Sequence, residues 1–265
     1  MIRRHPSVAD LRADKGCGQK TMLRLGSMEE ATAAEAALID IASVPPDLVS
    51  HPRYREVAPS VFSLTGKTHV EAGTPDDYLR FAGQMIQAGA DAIYCSGSLQ
   101  TVEYLSREYV PIVGHVGLVP SRATFTGGFR AVGKTAETAI ALYNECRRYH
   151  EAGAFAVEIE VVPVEVATAI SARLPVLLWS MGAGPGCDAQ YLFAEDVLGE
   201  NRSRPPRHAK VYRNFAAEYD RLQNERIAAF SEFRTDVATG IFPQARHVVT
   251  MDEREHEAFL RGISE

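Results

Sequence analysis

Apolar positions along this chain switch between a helical period of 3.6 and short continuous runs, and the switching predicts strands alternating with helices. A helix is expected over Ser7 to Lys15, then a strand over Lys20 to Leu25. Ser27 and Glu30 have the spacing of a capping box for an Ala-rich helix reaching Leu38. Ile39 to Val44 reads as a second strand, ended by Pro45 and Pro46, which cannot donate to a ladder. VFSLTG makes a third strand ending at Gly66. Thr74, Pro75 and the acids behind them open a helix whose inner face is Leu79, Ala82, Met85 and Ile86, and Gly89 stops it. Ile112 to Leu118 is a buried strand, and Leu174 to Ser180 another, preceded by a helix over Val166 to Ala172. Beyond the break at NRSRPPR, Val211, Phe215, Tyr219, Leu222, Phe230, Phe233 and Val237 recur at helical spacing, as a core or subunit-facing stripe. A last helix starts at Asp252.

Two segments repeat one another. QAGADAIYCSG and EAGAFAVEIEVVP each pass through AGA from a helix directly into a strand, the signature of helix–strand units around a parallel sheet. Counting equally from the AGA glycines, Gly89 and Gly153, pairs Ser96 with Glu160 at one height near the carboxyl ends of the strands, where barrel enzymes keep their sites.

At 265 residues and 46% hydrophobic composition, one barrel domain over 1–265 is expected, with about 205–265 a helical segment on the barrel or a neighbouring subunit. A net charge of −6 argues against a nucleic-acid surface and for a small-molecule partner. No apolar run reaches the ~20 residues of a membrane span and the N-terminus has no apolar leader core, so a cytoplasmic protein is expected. Cys17, Cys95, Cys146 and Cys187 are too dispersed for a disulfide framework or a CxxC site.

Candidate chemistry gathers in Pro111 to Lys134, where Gly114 and Gly117 bracket His115 inside the strand pattern. The glycine-rich turn after Ser180, with Gly182 and Gly184, follows a strand and suits an anion held on backbone N–H groups. Arg24 and Lys67 are candidate partners for a substrate carboxylate.

The motif string GHVGLVPS, GGF-x-x-x-GK, AGA-x-x-x-x-x-E-x-VP and GAG-x-x-CD-x-Q resembles the ketopantoate hydroxymethyltransferases, most strongly from Gly89 to Gly199. The resemblance implies an α/β fold, a (β/α)8 TIM-type barrel with a C-terminal helical extension, assembled as a homo-oligomer. It implies aldol-type transfer of a hydroxymethyl group from methylenetetrahydrofolate to C3 of 3-methyl-2-oxobutanoate. Glu160 takes the position of the family's base and His115 that of its substrate-binding histidine. The family's magnesium-type ion is held by two Asp and one Glu after the second, third and fourth strands. Here those places read Asp47, displaced by one residue, Gly66, and Tyr94-Cys95-Ser96 in place of Lys-x-Glu, with Asp47, Tyr94 and Ser96 left to line the substrate. Magnesium is therefore not expected at that position. Lys67 is the replacement electrophile, as an ammonium or a Schiff base; zinc on His69, Glu71, Cys95 and His115 is the other option. Two further readings stay open: a lyase or isomerase on a related 2-oxo acid without folate, and a non-catalytic metabolite-binding protein.

Overall fold

The structure, a computed structural model, describes residues 3–67 and 69–263, the side chains of residues 69, 70 and 126 excepted. It divides into two compact units, one ending at Arg213 and one beginning at Asn214.

The first unit is a closed parallel barrel of β1 (Lys20–Arg24), β2 (Ile41–Ser43), β3 (Phe62–Lys67), β4 (Ala92–Cys95), β5 (Ile112–Gly117), β6 (Ala156–Glu160), β7 (Leu177–Met181) and β8 (Ala189–Phe193), each paired with the next and β8 with β1. The expected TIM-type barrel is what forms. β8 had no counterpart in the sequence reading, because Ala189 to Phe193 lacks the apolar run that marked its predecessors.

Alternation along each strand makes two cores. Met22, Ile41, Phe62, Leu64, Ala92, Val113, Ala156, Leu177, Trp179, Ala189 and Tyr191 fill the interior. Leu25, Ala42, Ile93, Cys95, Ile112, Val116, Val157, Ile159 and Leu178 face the surrounding helices. Each strand therefore has one functional parity, and its last inward residues line the barrel's carboxyl end.

The helices are set by local rules. Thr74 caps Pro75–Ala88 with a complete capping box to Asp77, and Gly89 ends it in the left-handed region at φ 112°. Tyr78, Phe81, Ala82 and Met85 form its buried face, whereas Ile86, expected among them, is 40% exposed. The Ser27 hydroxyl accepts from Glu30 N, but the Glu30 carboxylate accepts from Gly26 N rather than from Ser27, so the box closes one residue early. No helix among the described residues is long and apolar enough to cross a membrane.

The second unit carries helices Phe215–Thr239 and Glu253–Gly262, capped by Asn214 and Asp252. Neither helix has a buried residue, so the aromatic stripe does not form a core: Phe230 is 73% and Phe233 58% exposed.

Candidate active site

Three inward-facing residues on adjacent strands converge below the barrel's carboxyl end. β5 supplies His115, and β6 supplies Glu158 and Glu160, two residues apart and hence on one face. Register sets His115 beside Glu158, and Gly117 beside Glu160. His115 Nε2 lies 3.0 Å from Glu160 Oε2 and 3.8 Å from Glu158 Oε1. On the other side of the ring, Nδ1 is hydrogen-bonded to the Tyr94 hydroxyl from β4. With both ring nitrogens engaged, Nε2–H donates to Glu160 and Tyr94 orients the imidazole.

All three ionisable groups are buried. Burial, reinforced by the Glu160 charge and opposed by His115, pushes the Glu158 carboxyl up to about 7. Burial alone would lower the His115 pKa, but the Glu158 charge, with the Glu160 hydrogen bond and charge, outweighs it and raises the imidazole above its ordinary value. Desolvation and the nearby carboxylates hold Tyr94 neutral, far above the ordinary phenol range. Glu158 accepts no hydrogen bond shorter than 3.5 Å from any described residue, so a proton of its own is the natural way to relieve its charge.

The glycines around His115 are there for close approach. A Cβ on Gly114 would stand 2.6 Å from Tyr149 Cε1, and one on Gly117, whose φ is 84°, would stand 2.9 Å from Val162 Cγ2. Gly66 likewise makes room for Tyr94, whose Cβ lies 2.8 Å from where its own would be. The residue after Glu160, Val161, is held at φ 49°, a strained conformation for a β-branched side chain. Its carbonyl accepts from Val132 N and its N–H donates to Met181 O, which fixes the end of β6.

The expected site residues divide into two groups. His115, Glu160 and Tyr94 meet as described. Arg24 has the inward parity of Met22 at the end of β1, with Nη1 3.5 Å from Ser43 Oγ, and its charge acts on Tyr191, as does that of Glu158. Ser96, buried just past β4, has its carbonyl 3.5 Å from an Arg122 nitrogen. Gly182 and Gly184 form the turn after β7, both at positive φ.

Lys67, by contrast, has the outward parity of Ser63 and Thr65, and its ammonium sits 5.0 Å above the Phe81 ring of the helix layer. The cation goes to an aromatic face rather than into the barrel, so Lys67 is not joined to the His115 group. Asp47 is exposed in the first turn of a short helix over Pro46–Val49. Cys95 faces the helices, its thiol pushed up to about 11 by burial, so it does not meet His115 as the zinc option requires. The His69 side chain lies outside the described residues.

Glu158 was missed in the sequence. The signal was present, since Glu158-Ile159-Glu160 on a strand must put both carboxylates on one face.

Among the described residues, the group of His, Cys, Asp and Glu whose ligating atoms converge is His115, Glu158 and Glu160, within 4.8 Å of one another. One imidazole nitrogen and two carboxylate oxygens suit a borderline ion better than magnesium, which takes oxygen ligands. The imidazole proton already bridges to Glu160. Of the places corresponding to the family's ligands, Gly66 and Ser96 bring one hydroxyl between them, and Asp47 is exposed on the helix Pro46–Val49. Those places give magnesium few of the oxygen ligands it takes.

A sequence profile described as ketopantoate hydroxymethyltransferase matches residues 69–245. A 3-methyl-2-oxobutanoate hydroxymethyltransferase of Hyperthermus butylicus is 40% identical over 74% of this chain and 66% of its own length, just under two thirds. The enzyme of the same name from Bacillus cereus strain AH187 is 32% identical over 82% of this chain and 77% of its own. Among solved structures, an oxaloacetate acetylhydrolase bound to 3,3-difluorooxalacetate superposes with a TM-score of 0.56 at 11% identity, covering 90% of this chain and 98% of that one. A 2,3-dimethylmalate lyase of the PEP mutase/isocitrate lyase superfamily gives 0.51 at 12% identity, over 96% and 98%. These two establish likeness of fold.

Proposed function

The chain belongs to the ketopantoate hydroxymethyltransferase family, and on that premise we propose that it enolises a small branched 2-oxo acid, 3-methyl-2-oxobutanoate or a close analogue, and adds a one-carbon hydroxymethyl unit at C3. The observation that carries this reading is the His115–Glu160 pair, 3.0 Å apart at the carboxyl end of the barrel, in the two motifs shared with the family.

Enolisation needs a base at the C3 hydrogen and hydrogen-bond donors or positive charge at the ketone oxygen. Glu160 is the base. His115, donating through Nε2, orients that carboxylate before the transfer and shares the proton afterwards. Tyr94 holds the imidazole in the tautomer this requires. Glu158, which carries a proton up to about pH 7, limits the negative charge below the pair. Arg24, facing inward at the mouth, holds the substrate carboxylate. Methylenetetrahydrofolate is the one-carbon donor this reading requires. Two acids and an imidazole buried together cost solvation, and a reaction that moves protons among them accounts for the arrangement better than simple ligand binding does.

Proton NMR of 3-methyl-2-oxobutanoate in deuterated buffer, with the protein pretreated with a chelator, tests the reading. Loss of the C3 hydrogen signal at a rate proportional to protein is expected. No exchange with or without added magnesium would remove enolisation as the activity. The exposed aromatic stripe on Phe215–Thr239 supports self-association of the chain, as an additional part of the proposal.

A further inference from the structure

One turn away from Glu160, a separate cavity of about 290 Å³ is lined by Ala131, Lys134, Val161 to Val164, Gly182 to Gly184 and Arg207. Its lining side chains are apolar apart from the two cations. Neither Lys134 nor Arg207 has a hydrogen-bond or ion-pair partner among the described residues, although most arginines of the barrel unit do.

The cavity owes its shape to the glycine turn. A Cβ on Gly182 would come 3.0 Å from His208, the residue after Arg207, so the missing side chain lets the 207–208 segment cross the turn with Arg207 lining the cavity. A Cβ on Gly184 would stand 2.9 Å from Val164 Cβ, so that glycine seats the turn on the start of the helix Val164–Ser171. That helix has no side-chain cap, since its N-cap is Pro163. Its first-turn acid, Glu165, lines a different groove with Ala139 and Tyr143 and leaves the cavity without a carboxylate.

We propose that this cavity is a second binding site, for the carboxylate or phosphate end of a small molecule whose apolar part lies along Val161 to Val164. Two cations border a pocket of apolar side chains beside a glycine turn, the composition expected for holding an anion by charge and its body by burial. Val161 belongs to the cavity wall and directly follows Glu160 in the chain. Assigning the occupant as the second reactant rests on the function proposed above; the binding itself does not.

Calorimetric titration at low ionic strength tests the site with two probes, inorganic phosphate for the phosphate source and glutarate for the carboxylate source. Saturable one-site binding of at least one probe is expected, weakened at least tenfold by Lys134→Gln or by Arg207→Gln and lost in the double variant. Lys210→Gln serves as the control: its ammonium lies 4.7 Å over the Tyr212 ring and does not line the cavity, so binding should be unchanged. All three side chains are exposed, and folding is not at stake. Binding of neither probe, equal binding in the double variant, or equal weakening by Lys210→Gln would overturn the proposal. Because titration needs no turnover, a protein that binds the probe yet shows no C3 exchange would sink the proposed reaction and leave this site standing; exchange without binding would do the reverse.

Discussion

Glu158 and Glu160 face the same imidazole nitrogen, His115 Nε2, from 3.8 and 3.0 Å, although only the second lies within hydrogen-bonding distance. The two carboxylates therefore have different work. Glu160→Gln is expected to reduce C3 exchange at least a hundredfold, a loss of about 3 kcal/mol in transition-state stabilisation, while the dissociation constant for the 2-oxo acid changes less than threefold. NMR exchange and calorimetry on the same preparation check both halves. Exchange that persists at the original rate would exclude Glu160 as the base.

The pH dependence of stability should belong to Glu158. Its carboxyl is raised from 4.5 to about 7 in the fold, so the folded state binds the proton more tightly than the unfolded state. This stabilisation is fully present below about pH 4.5 and is lost as pH rises through 7. Glu158→Gln, which is neutral at every pH, should flatten the decline between pH 5 and 8, a difference on the order of 3 kcal/mol. Denaturant melts at several pH values measure it; parallel curves for the two proteins would reject the assignment.

Tyr94→Phe removes the partner of His115 Nδ1 but keeps the ring in place. Exchange should fall about tenfold, the effect of losing roughly one hydrogen bond to a catalytic group, and the imidazole pKa followed by NMR should move. An unmoved His115 titration would make Tyr94 a packing residue.

Gly114→Ala should destabilise the barrel by about 1–3 kcal/mol, the usual cost of overpacking, because the new methyl would stand 2.6 Å from Tyr149 Cε1 in a buried contact. Thermal melts are the readout. No change in melting temperature would show that Tyr149 moves aside freely.

Borohydride in the presence of a 2-oxo acid should leave Lys67 unmodified, since its ammonium stacks on Phe81 rather than facing the barrel interior. Peptide mapping decides this. An adduct at Lys67 would restore the Schiff-base route.

By itself the sequence determined the strand–helix alternation, because the 3.6-residue period, the capping residues and the paired AGA segments act within a few residues of one another. It also placed His115 and Glu160 on strands, since a strand's two-residue period is a local property. Had that period been applied to Glu158-Ile159-Glu160, the third member of the site would have been legible too. Only the tertiary structure decided which side chains meet. Tyr94, His115 and Glu158 come from three strands whose register is set by barrel closure, and Lys67 and Cys95 turn to the helices by parity alone. Gly114, Gly117, Gly182 and Gly184 mark close approach to partners elsewhere in the chain. Contacts between distant segments depend on barrel shear and on where loops cross, and no short window of residues contains either.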